Sequence, residues 1–334
     1  MSFIPGPFNS ITDVAGIRVG HATDERVGTG VTALLFDGAW TAAVDVRGGG
    51  PGVRETETLA VHNVVDGIHA ICLSGGSVFG LSAADGVIDL LSEQGVGMRL
   101  RAGGRPIPIV PGAVLHDLNN AGDKDWTESP YRALGRAAAT AAAAGEIELG
   151  SVGAGRGAMA GYLKGGIGSA SIELEDGIVV AALAAVNPVG SVFMSDGETY
   201  WAWPYEIDGE FGGRRPGAVS PSIHPAPDET RLRELGRLQA GANTTLAIVA
   251  TNADLGKAEA HRMAMMAQDG LARAIRPVHT PFDGDLVFAV ASGAVALSAD
   301  RSRQWQAARL GSAAADCLAR AIARGVFHAG GVSP

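Results

Sequence analysis

The stretch Asn243-Thr-Thr-Leu-Ala-Ile-Val-Ala-Thr251 constrains the fold more than any other. Its β-branched and apolar residues run without a break, which reads as a buried strand. Upstream, residues 206–228 are dense in Gly, Pro and charge, the composition of a linker. A short polar helix over about 228–239 is expected between the two. A strand this buried cannot stand apart from what precedes it, so the linker marks no domain boundary, and residues 1–334 are read as one domain.

Further strands are expected at Ile17–His21, Val31–Phe36, Ala42–Val46, Ala70–Leu73, Ser169–Leu174, Ile178–Val186 and Leu286–Val290. The sheet core is expected to run on to about Tyr200. Helical spacing covers about 55–66, 78–94, 131–144, 255–274 (with Asp254 as its cap) and 303–323. Strands mixed with helices in this order give an α+β or layered α/β chain. The 48 glycines follow no three-residue period, which excludes collagen, and they sit at the ends of apolar runs where strands turn.

Charge and composition narrow the function. A net charge of −9 without basic runs gives no footprint for nucleic acid. No uninterrupted apolar stretch reaches the roughly 18 residues of a transmembrane helix, and the N-terminus lacks the pattern of a signal peptide. Cys72 and Cys317 lie in apolar contexts and read as core thiols, so the default is a cytoplasmic enzyme. Gly153-Ala-Gly155-Arg-Gly157 imitates a dinucleotide loop, but Ala158 stands at the sixth position and no helix clearly follows. Ser77 is not a nucleophile elbow, because Phe79 stands where Gly is needed. The eight histidines form no metal-ligand spacing. No cofactor and no metal are therefore expected.

Asn243-Thr244-Thr245 opens the buried strand. An internal Thr is a weak nucleophile without a nearby base, and Thr in a strand is ordinarily just a β-former. A Thr at a chain terminus carries its own α-amine, with an unperturbed pKa of roughly 8. Cleavage before Thr244 would create nucleophile and base together.

Five motifs, in order along nearly the whole chain, carry a resemblance. They are Ile11–His21, Asp45–Thr56 (DVRGGGPGVRET), Leu73–Leu81 (LSGGSVFGL), Lys164–Ser169 (KGGIGS) and Asn243–Thr251. The chain resembles the P1 (S58-type) peptidases, a group that includes β-peptidyl aminopeptidases, D-aminopeptidase-type enzymes and nylon-oligomer endo-hydrolases. The resemblance implies a four-layer αββα sandwich, similar to N-terminal nucleophile hydrolases but differently connected. It implies self-cleavage before a Ser or Thr, here into 1–243 and 244–334, with the fragments held together. Aminopeptidase members carry Gly-Ser at the cut. Asn243-Thr244 matches the nylon-oligomer branch instead.

Carried over by resemblance, Thr244 is the nucleophile. Asn187 and Lys164 line it, Asn187 as an oxyanion donor and Lys164 as a cation acting on the Thr244 amine or hydroxyl. Asp283 and Asp285 sit where members place Ser and Glu, or two Asp, and would orient the ammonium or relay a proton. Tyr162 is a weaker pocket candidate. Each has a plainer reading. Lys164 would be a solvated turn residue, Asn187-Pro188 a turn pair, and Asp283-Gly-Asp285 an ordinary turn. Gly75-Gly76 would line the pocket or simply turn a strand into a helix. The substrate class is a small peptide or amide, and tetramers are common in the family. The alternative is an inactive or regulatory member of the fold acting as a binding protein.

Overall fold

The computed structural model describes residues 4–217, 224–225, 227–228, 230–233 and 243–330. In chain order the strands are β1 (Ile17–Asp24), β2 (Thr29–Val46), β3 (Gly52–Arg54), β4 (Ile68–Ser74), β5 (Gly112–Val114), β6 (Met159–Ala160), β7 (Leu163–Lys164), β8 (Gly166–Glu173), β9 (Val179–Val186), β10 (Leu246–Ala253) and β11 (Leu286–Val295). The α-helices are α1 (Ala83–Glu93), α2 (Tyr131–Thr140), α3 (Lys257–Ala274) and α4 (Arg303–His328).

One long strand ties two sheets together. The first half of β2 pairs with β1 and β4, and its second half pairs with β11. The join is an irregularity between Leu35 and Trp40, where Gly38 has a φ of 111° and Asp37–Ala39 reach solvent. The two strands expected at 31–36 and 42–46 are therefore one strand bent at a glycine. Sheet A runs β2–β11–β10–β9–β8, and only β10 and β11 are parallel within it. Sheet B comprises β1, the start of β2, β4, β5 and β3.

Alternation within the strands shows how the layers stack. Leu246, Ile248 and Ala250 of β10 share a core with Leu286, Phe288 and Val290 of β11 and with Val19, Leu34, Ile71 and Leu73 of sheet B. The intervening Ala247, Val249, Val287 and Ala289 pack with α3 and α4 instead. The outer face of sheet B packs with α1 and α2 through Val31, Ala33, Val87, Leu91 and Ala138. The order is helices, sheet A, sheet B, helices, the αββα sandwich expected from the resemblance. Small residues let α4 lie close on sheet A: a Cβ on Gly168 would come within 1.9 Å of the Ala321 carbonyl oxygen.

Several expectations are corrected. Residues 55–66 hold only a 3₁₀ turn, Thr56–Leu59. The ammonium of Lys257 collects the carbonyls of Thr58, Ala60 and Asn63 at 3.0, 3.3 and 2.8 Å, so those groups do not enter a helix. The helix at 78–94 begins as a 3₁₀ segment, Ser77–Ser82, before α1. The sheet does not continue to Tyr200: β9 ends at Val186, and only a bridge pairs Phe193 with Tyr200. Asp254 does not cap α3. Its N–H is still bonded to Val295 of β11, and Gly256 takes the cap position with its N–H on the Glu259 carboxylate at 2.9 Å. Of the helix expected at 228–239, a 3₁₀ turn at Arg231–Arg233 is seen, and 234–239 lie outside the described residues. Cys72 and Cys317 are buried and unpaired, and burial pushes both thiols up to about 12.

Candidate active site

The ends of four neighbouring strands of sheet A meet at Thr244. The chain entering β10 lies between the end of β9 and the start of β11, with the end of β2 on the far side of β11. Hydrogen bonds fix it on both sides. Thr244 N–H donates to the Asn187 carbonyl at 2.7 Å, Asn243 N–H donates to the Phe282 carbonyl at 3.2 Å, and Thr245 N–H donates to Asp285 Oδ1 at 2.7 Å. Asn243, Thr244 and Thr245 are at most 2% exposed. Two residues before Leu246, Thr244 keeps the parity of the side chains that face sheet B.

The carbonyl of Asn243 has two donors. Gly284 N–H reaches it at 2.9 Å, and the Thr244 hydroxyl lies against the same oxygen. Glycine at 284 is required by space, since a Cβ there would stand 2.6 Å from Thr244 Oγ1 and 2.8 Å from the Gly50 carbonyl oxygen. The Asn243 side chain is held from outside by Arg231, whose Nη1 donates to Oδ1 at 3.1 Å.

Asp283 and Asp285 flank that glycine and are essentially sealed from solvent. Asp283 accepts from Val189 N–H, Thr280 N–H and the Thr280 hydroxyl, at 3.0, 3.0 and 2.5 Å. Asp285 accepts from Thr245 N–H and from both the N–H and the ring Nδ1 of His279, at 2.7, 3.0 and 3.0 Å. Burial, and secondly the charge of Asp285, push the Asp283 carboxyl up to about 6 despite its donors. These two carboxylates therefore brace the loop that presents Gly284 N–H and the strand entry that presents Thr244.

The other expected residues are placed as follows. Asn187 is fully buried, with Oδ1 accepting from Met159 N–H at 2.9 Å and Nδ2 donating to the His116 carbonyl at 3.2 Å. One Nδ2 proton is left for another acceptor. Lys164 is exposed on the β6–β7 hairpin, opposite Met159, and Tyr162 is half exposed at its tip. Neither side chain has a partner among the described residues. Gly75 and Gly76 have their N–H groups engaged, on the Gly30 carbonyl at 3.0 Å and on Asp117 Oδ1 at 2.8 Å. A Cβ at either position would strike Asp117 or Tyr131, so both serve the turn from β4 into the helical segment. The Gly153–Gly157 run forms a 3₁₀ turn and leads into β6 rather than a helix.

Sheet B supplies what spacing could not show. A cavity of about 370 Å³ opens on Thr244, walled by Val53, Val78, Leu81, Val114 and His116 among others. His116 is far from Thr244 in sequence, and its approach depends on β5 pairing parallel to β4 in the second sheet. Gly284 and Arg231 were also missed. Only the Asp-Gly-Asp pattern hinted at the first.

Peptidase family S58 matches residues 9–333. The chain belongs to that family. This S58 peptidase is 44% identical to an uncharacterised aminopeptidase of Mycobacterium tuberculosis over 96% of its own length and 94% of the relative's. It is 31% identical to a 6-aminohexanoate-oligomer endohydrolase of Paenarthrobacter ureafaciens, over 85% of its own length and 75% of the relative's. In fold the peptidase is similar to a Burkholderia sp. beta-aminopeptidase, with a TM-score of 0.70, 24% identity and coverage of 97% of this chain and 88% of the other. The L-aminopeptidase D-Ala-esterase/amidase of Ochrobactrum anthropi, described as a variant of the Ntn hydrolase fold, gives a TM-score of 0.69 at 20% identity over 98% and 88% of the two chains. The peptidase is thus a hydrolase of peptide or amide bonds. No described helix is long and apolar enough to cross a membrane.

Proposed function

We propose that this peptidase cleaves itself between Asn243 and Thr244 and then hydrolyses amide bonds with Thr244 as an N-terminal nucleophile. One observation carries the proposal: the Thr244 hydroxyl lies against the Asn243 carbonyl while Gly284 N–H donates to that carbonyl's oxygen at 2.9 Å. Nucleophile, electrophile and oxyanion donor are already together in the uncut chain.

In the first phase Oγ1 bonds to the Asn243 carbonyl carbon, and negative charge grows on the oxygen facing Gly284. Collapse breaks the bond to the Thr244 nitrogen, which takes the hydroxyl proton. Water then hydrolyses the ester, leaving an Asn243 carboxylate beside the Arg231 guanidinium. The new Thr244 amine stays where it was, because its nitrogen already donates to the Asn187 carbonyl. In the second phase the substrate carbonyl takes the place vacated by Asn243, with Gly284 N–H and the spare Asn187 amide proton as donors. A preorganised donor of this kind is worth roughly 3–4 kcal/mol in the transition state. The Thr244 amine, or Lys164 beside it, receives the hydroxyl proton.

The fragments would remain one body. β10, from the small fragment, is hydrogen-bonded to β9 of the large one along its length. Arg320 of α4, fully buried, pairs with Glu210 at 2.5 Å and donates to Asn9 Oδ1 at 2.8 Å.

The substrates are amides of small peptides or of linear ω-amino acids, the classes spanned by the relatives' names. Hydrolysis of a nitroanilide by the wild type and by Thr244→Ser, with none by Thr244→Ala, tests the assignment. Turnover by the alanine variant at the wild-type rate contradicts it.

A further inference from the structure

The cavity at Thr244 has a chemical character that narrows the substrate, and the narrowing rests on the Thr244 assignment above. Its apolar wall includes Val53, Val78, Leu81 and Val114, and its polar side chains besides Thr244 are Ser77 and His116. No carboxylate lines it among the described residues. An ammonium brought out of water into such a space needs a counter-charge or several acceptors. The acids closest along the chain to Gly284, Asp283 and Asp285, cannot serve. Each already accepts from three donors of the surrounding loops, and they are 1% and 0% exposed.

His116 strengthens the case. Burial lowers its pKa, and the charge of Arg231 acts in the same direction against a partial offset by Asp117. The ring facing the cavity is thus neutral at pH 7. Its Nε2 is shielded from solvent and has no hydrogen-bond partner. A neutral ring nitrogen of this kind matches an amide N–H or C=O and offers nothing to a cation. The Arg231 cation also opposes a second positive charge nearby.

We propose that this cavity takes an acyl chain that is uncharged beside the scissile amide, as in an internal bond of a linear amide or an N-blocked residue, with His116 as its polar contact. A free α-ammonium next to the scissile bond is disfavoured. The peptidase is then an endo-acting or blocked-end amidase rather than a remover of free N-terminal residues.

The test uses the self-cleaved protein and two nitroanilides of the same residue, one with a free α-amine and one N-acetylated. The expected result is a kcat/KM at least about tenfold higher for the acetylated compound. His116→Glu places a carboxylate in the cavity and should shift the ratio at least about tenfold toward the free amine. His116→Gln, which stays neutral, should raise KM for the acetylated compound without recruiting the free amine. Mass spectrometry of the same samples reports the cut at residue 243, which checks folding and tests the Thr244 assignment separately. A cleaved wild type that prefers the free amine, or that turns over neither compound, overturns the inference. A His116→Glu variant that cleaves itself yet leaves the ratio unchanged overturns the role given to His116.

Discussion

The two sheets of the sandwich contribute different things to one site. Sheet A supplies every group placed around the scissile carbonyl: Asn187 after β9, Asn243–Thr245 before β10, and Asp283–Asp285 before β11. These groups hang on strands whose residues are buried on both faces and bonded on both edges. Sheet B supplies the cavity wall from β3, β5 and the turn after β4, elements of three residues or loops, with Val78 65% exposed. The difference teaches that chemistry is anchored where the backbone cannot shift, while substrate fit rests where side chains can change at little cost. Self-cleavage, whose substrate is the chain itself, should therefore depend on sheet A alone. Hydrolysis of an added amide should depend on both sheets.

The largest expected effect comes from the nucleophile. Thr244→Ala should leave the chain uncut and lower amide turnover by at least about 10³-fold, read by electrophoresis and nitroanilide assay. Next is Gly284→Ala, which keeps the N–H but places a methyl against Thr244 Oγ1. Misplacing one oxyanion donor should slow self-cleavage by about 10²-fold, measured as the time course of fragment appearance.

A smaller effect concerns Asp283. Its folded pKa of about 6 lies above its ordinary 3.8, so its ionised form opposes folding. The stabilisation from its protonation is fully present below about pH 4 and is lost as pH rises through about 6. Relative to Asp283→Asn, the wild type should thus gain melting temperature as pH falls from about 7 to about 4.5. A constant difference across that range would show that Asp283 does not titrate there. The smallest effect belongs to sheet B. Leu81→Ala should raise KM for an amide a few-fold and leave the self-cleavage rate unchanged, because that residue touches only the cavity. A comparable loss in both reactions would erase the division between the sheets.

Much of sheet A was legible in the sequence, because long apolar runs such as Val179–Val186 and Leu246–Ala253 admit few other structures. The continuity of β2 was hidden by Asp37-Gly38, which reads as a turn but is a bend within one strand. The 55–66 segment has helical spacing, yet Lys257, about 200 residues away in sequence, claims its carbonyls, and no local pattern reports that. At the site, Thr244 stood out by its place at a strand mouth and by resemblance, and Asp283 and Asp285 by resemblance. His116 carried no signal, because a lone histidine in a Pro-punctuated stretch becomes a cavity wall only once two sheets stack. Arg231 likewise gains its meaning only through the loop that returns it to Asn243.

The most direct test of the central claim is the intact mass of the freshly purified protein, with N-terminal sequencing of any small fragment. Cleavage predicts that the 33.9 kDa chain resolves into pieces of about 25 and about 9 kDa, the smaller beginning Thr-Thr-Leu-Ala. An uncut chain that hydrolyses amides at full rate, or a cut at any other bond, would contradict it.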